Sequence, residues 1–111
     1  MNNYVVKIVC GEHFIDGLND DVKPDRIINI NGLDIKELDS SMEVIAMNVF
    51  RNVAKNYMES QKSMNVYVAN CYVYDENNDF VFGIEIDMSS DKINTVRYNK
   101  ETIQVLENFK K

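Results

Sequence analysis

Several residue types are scarce in this chain of 111 residues, and each scarcity excludes something. There is no tryptophan, one proline (Pro24) and four glycines, scattered at positions 11, 17, 32 and 83. Scattered glycines leave no phosphate loop and no dinucleotide fingerprint, and nothing reads as a flexible linker. The Gly-x-Ser-x-Gly elbow and the His-Glu-x-x-His zinc motif are also missing. Histidine occurs once, as His13, and cysteine twice, as Cys10 and Cys71. With no Cys-x2-Cys pair the ligand set matches no zinc pattern, so no metal and no cofactor is expected. The apolar runs are only a few residues long, whereas a membrane helix needs about 20. Met1-Asn2-Asn3-Tyr4 carries no basic, apolar leader pattern, so a cytoplasmic location with reduced thiols is expected.

Basic residues are also in short supply. Lys and Arg number 12 against 18 Asp and Glu, for a net charge of −6 and a pI near 4.7. No three basic residues are consecutive, which opposes direct nucleic-acid binding, since that draws on clustered cations. The rest is ordinary for a globular protein, 45% hydrophobic and 27% charged, and the length suits one domain over residues 1–111.

Tyr4–Cys10 alternates with apolar residues on both faces, the pattern of a strand covered on two sides. Gly11–Pro24 reads as an irregular loop with turn formers Gly11, Gly17, Asn19, Asp20, Asp21 and Pro24. Asn31-Gly32 is the preferred dipeptide of a type I′ turn, and predicts a hairpin over Arg26–Glu37 that faces Ile30 with Leu33, Ile28 with Ile35 and Arg26 with Glu37. Ser40 and Glu43 form a capping-box pattern. A helix is expected from there, with Met42, Ile45, Ala46, Val49, Phe50, Val53, Ala54 and Tyr57 inward and Val44 and Met47 on its flank.

Asn65–Tyr74 and Phe80–Met88 read as a second hairpin around the turn Asp75-Glu76-Asn77-Asn78-Asp79. Its return strand puts Phe80, Phe82, Ile84, Ile86 and Met88 on one face, toward the helix, and Val81, Gly83, Glu85 and Asp87 on the other. Ile93–Tyr98 is a short strand, and Asn99 caps a last helix, Lys100–Phe109, with Ile103, Leu106 and Phe109 inward. The sum is an α+β two-layer sandwich: an antiparallel sheet of five to six strands, one long helix on one face and a short C-terminal helix.

Four groupings could carry function. Cys10 and His13 form a conceivable nucleophile pair, but no third member follows them, and a thiol ending an apolar strand is commonly structural. Asp75, Glu76 and Asp79 lack the central Gly and final Glu of an EF-hand loop and read as a solvated turn. Glu85 and Asp87 lie on one strand face about 7 Å apart, suited to acid–base work, to meeting a basic partner or simply to keeping the face soluble. Tyr72 and Tyr74 share a face, and large amphipathic rings beside carboxylates favour protein recognition.

The reading these residues favour is a non-enzymatic interaction module. It would be an acidic inhibitor or immunity-type protein using Tyr72, Tyr74, Asp75, Glu76, Asp79, Glu85 and Asp87 to mask a basic surface on a toxin or a nucleic-acid-handling defence protein. The alternative is a homo-oligomeric binder of a nucleotide or signal molecule, with Arg51, Lys55 and Arg97 on phosphates and Val44 and Met47 in a homodimer contact.

Overall fold

Strand β1 (Asn3–Cys10) has apolar side chains on both faces and takes an inner place in the sheet, between β2 (Arg26–Asn31) and β3 (Val68–Tyr74). β4 (Phe80–Asp87) and β5 (Asn94–Asn99) extend it to five strands in the order β2-β1-β3-β4-β5, every neighbouring pair antiparallel. The helices are α1 (Phe14–Gly17), α2 (Ile35–Glu59) and α3 (Lys100–Phe109). The computed structural model describes residues 3–18, 21–59, 67–89 and 92–109. The expected strand start at Asn65 and Val66, the loop residues Asn19 and Asp20, and the side chains of Tyr57, Leu106 and Phe109 lie outside the described residues.

α2 covers one face of the sheet. Leu38, Met42, Ala46, Val49 and Phe50 lie on Val6, Ile8, Cys10, Ala69, Cys71, Val73, Ile84 and Ile86. The spacing 38-42-46-49 is one stripe of a 3.6-residue period. Fully burying each large aliphatic side chain contributes about 1.5–3 kcal/mol, so this layer dominates the fold's stability. Val44 faces solvent, while Met47 is half-buried against the core.

The Asn31-Gly32 hairpin does not form. Ile28 and Ile30 pair with Val6 and Tyr4 of β1, and the chain enters α2 at Ile35. A type I′ turn needs positive φ at both central residues. Gly32 has φ 83°, but Asn31 is not among the described positive-φ residues. The helix begins five residues before the expected Ser40 because Asp34 caps it, its Oδ1 accepting the Glu37 N–H at 2.8 Å. Ser40 and Ser41 lie inside the helix, their hydroxyls donating to the carbonyls of Lys36 and Glu37 at 2.9 Å. The early start places Leu38 on the inner face of the helix, where it is completely buried.

The β3–β4 hairpin forms with a register shift at Val73/Tyr74. The shift carries Phe80 to the face opposite α2, edge-on to Tyr74, and lets Val81 pack on the α2 side. Phe82, Ile84, Ile86 and Met88 keep the expected face. Asn99 caps α3 as expected, its Oδ1 accepting the Thr102 N–H and hydroxyl at 2.8 Å, and Ile103 is buried.

Candidate functional site

The face of the sheet away from α2 is covered by Ile103 of α3 and by the described residues of a strap, 11–18 and 21–25, which contains the short helix α1. Phe14 is its anchor. The ring stacks on Tyr98 with centroids 4.0 Å apart and leans on Tyr72 at 4.6 Å. Val9 and Ile103 complete this second cluster. Gly83 is the floor beneath the ring: a Cβ there would come within 2.3 Å of the Phe14 Cζ. Gly17 has the same role toward Tyr72, whose hydroxyl would meet a Cβ at 2.1 Å.

Directional bonds fasten the strap. The Phe14 N–H donates to Glu85 Oε2 at 2.9 Å, and the Tyr72 hydroxyl donates to the Phe14 carbonyl at 2.6 Å. Asn70 Nδ2 donates to the Glu12 carbonyl at 2.6 Å, and the Cys10 N–H donates to Asp25 Oδ2 at 2.7 Å. Burial, then the nearby Tyr74 and Glu85, push the Tyr72 phenol far above its usual range, so it stays a donor. Tyr98 shifts the same way, by burial and then by Glu85.

This arrangement changes the reading of the seven expected partner-binding residues. Tyr72 is 1% exposed and lies under the strap, so it forms no part of an open surface. Glu85 is half-buried and bonded to the strap backbone. Asp87 lies at the other end of β4 from Asp79, about 25 Å away at the rise of an extended strand. The Ser89 hydroxyl at 2.6 Å, then its N–H at 2.9 Å, hold the Asp87 carboxyl below its usual range. The seven residues therefore do not make one patch.

Tyr74, Asp75, Glu76 and Asp79 do stay together at the β3–β4 tip. Asp75 Oδ1 accepts the N–H groups of Asn77 and Asp79 at 2.9 and 3.0 Å. Its own N–H donates to the Asp79 carbonyl at 2.9 Å, and Asn78 takes φ 65° within the turn. The Asp75 carboxylate thus holds the loop as an Asx turn. Glu76 and Asp79 are exposed. Asn3 and Tyr4 of β1 flank them around an open cleft of about 290 Å³. Lys7 lies over the Tyr74 ring, 4.9 Å from its centroid.

Cys10 and His13 are not brought together. The Cys10 side chain is buried in the α2-side core, whereas His13 is exposed at the start of α1 on the opposite face, where Asp87 feels its charge. Burial pushes both thiols, Cys10 and Cys71, up to about 12, with Asp25 adding to the effect at Cys10. Thiols so shifted are poor nucleophiles at neutral pH. Among the described residues no group of three His, Cys, Asp or Glu side chains is arranged to hold a metal ion, and no helix is long and apolar enough to cross a membrane. Arg97 is paired with Asp39 of α2 at 3.1 Å, apart from Arg51 and Lys55 farther along that helix. No family model, no curated protein and no solved structure matches this chain.

The strap was the element sequence reasoning missed. Its one legible signal was Phe14, an isolated aromatic amid turn formers, which needs a buried partner somewhere.

Proposed function

We propose that this chain is a non-enzymatic interaction module whose acidic β3–β4 tip masks a basic surface on another protein, in the manner of an inhibitor or immunity-type protein. The observation that carries the reading is the tip itself. Asp75, Glu76 and Asp79 are gathered on one turn that Asp75 fixes through two backbone N–H groups. A fixed turn loses little conformational freedom on binding, so its charge converts efficiently into affinity. The net charge of −6 supplies long-range attraction to a cationic partner and repels nucleic acid. The surface is smaller than the sequence suggested: Glu76 and Asp79 present charge, Tyr4 and Tyr74 lie beside them, and Tyr72 and Glu85 are structural.

The test is affinity capture from the producing cell with the intact chain as bait, run beside the double variant Glu76→Lys/Asp79→Lys. Both substitutions are at exposed positions and leave the Asp75 turn intact. The expected result is a basic protein retained at low salt, released as salt screens the contact, and absent from the variant. Retention of the same proteins by both baits, or by neither, contradicts the proposal.

A further inference from the structure

One helix is about 10 Å wide and a five-stranded sheet about 20 Å, so α2 leaves an outer strip of its face uncovered. On the β5 side this strip is a groove of about 310 Å³ between the first turn of α2 and the edge strand. Ile35, Lys36 and Asp39 form one wall, Phe82 lies between, and Arg97 stands on the other. The volume falls in the range of small-molecule sites, and an apolar body with few polar groups is their usual make-up.

The polar groups here have a definite arrangement. Arg97 Nε donates to Asp39 Oδ1 at 3.1 Å. That bond offsets the Asp39 charge and uses the inner edge of the guanidinium. Nη1 and Nη2 have no partner among the described residues. A guanidinium held by Nε and open at its Nη atoms presents a planar fork, the geometry that takes an oxyanion through two parallel bonds. Lys36 is a second, exposed cation on the opposite wall. The nearby Asp34 carboxylate is bonded to the Glu37 N–H.

We propose that this groove binds a small organic anion, a carboxylate on an apolar body. The carboxylate sits on the Arg97 fork within reach of Lys36, and the body lies on Phe82 and Ile35. The site uses none of the tip carboxylates and stands or falls independently of them.

Octanoate is the probe, titrated into the full-length, isotope-labelled protein and followed by amide shifts. Saturable shifts at Ile35–Asp39, Phe82 and Arg97 are expected. Octanamide, with the same body and no charge, should bind roughly tenfold or more weakly, the size of a lost charge-assisted pair. Arg97→Gln should weaken octanoate by a similar factor. Ile35→Asp, an exposed change at the start of a helix where an acidic residue is tolerated, should do so by repulsion. No saturable shift at these residues, equal binding by octanamide, or undiminished binding by Arg97→Gln overturns the proposal. So does inorganic phosphate matching octanoate, because the apolar body would then contribute nothing.

Discussion

α2 and the strap each cover one face of the same sheet, by different physical means. Under α2 the contact is broad and aliphatic, and no single polar bond decides it. Under the strap it is narrow: one aromatic ring between Tyr72 and Tyr98, and a set of directional bonds spanning up to 71 residues of sequence. Area of the first kind is shared across the whole layer, because many small contributions add, so a loss at one position is felt throughout it. A closure of the second kind is lost piecewise, each bond contributing about 1 kcal/mol and up to about 3 when the acceptor is charged. The residues that looked available for recognition, Tyr72 and Glu85, are the ones that fasten the weaker layer.

Substitutions in each layer test this difference. Phe14→Ala should cost about 3–5 kcal/mol, concentrated in the strap, with Tyr72 becoming accessible while the β1 and β3 ladder amides stay protected. Leu38→Ala should cost about 2–5 kcal/mol and lower the protection of all core amides together. If Phe14→Ala also unfolds the whole sheet uniformly, the two layers are one cooperative unit and the distinction is lost. Gly83→Ala should cost about 1–3 kcal/mol by driving a methyl group into the Phe14 ring and toward the Cys71 carbonyl, 3.0 Å away, as measured by urea unfolding. Tyr72→Phe should cost about 1–2 kcal/mol, since it leaves the Phe14 carbonyl without its donor.

The buried thiols add a pH test of the α2 layer. Burial raises Cys10 and Cys71 from near 9 to about 12, so the folded state favours their protonated forms. Above pH 9 the unfolded chain releases these protons first, and stability falls as pH rises from about 9 toward 12. Below pH 9 this contribution is complete. A Cys10→Ala/Cys71→Ala double variant should lose the part of the alkaline slope that belongs to the thiols. Arg97→Ala should have the smallest effect, under about 1 kcal/mol, because its side chain is 56% exposed in the pair with Asp39.

The layer held by area was the one legible in the sequence. Alternation in Tyr4–Cys10 and Phe82–Met88 and the helical stripe after Met42 located the α2 core, because periodicity records which face is buried. The Asn31-Gly32 dipeptide misled, since a local turn preference was set against two longer-range gains: pairing of Ile28 and Ile30 with β1, and burial of Leu38. Asp34 followed by Glu37 was the overlooked cap. The strap left almost no periodic trace, because Phe14, Gly83 and Glu85 meet only through tertiary contact. For the same reason Tyr72 and Glu85 read as surface, while the acidic tip, a local turn, was legible in place.

Hydrogen exchange at the Phe14 amide tests the closed strap most directly. This N–H opens a four-residue helix and has no helical acceptor, and among the described residues Glu85 is the group that accepts it. Strong protection in the native chain, reduced roughly tenfold or more in Glu85→Ala, is the expected result. Exchange at the unprotected rate in the native chain would mean the strap is open, and would return Tyr72 and Glu85 to the surface available for a partner.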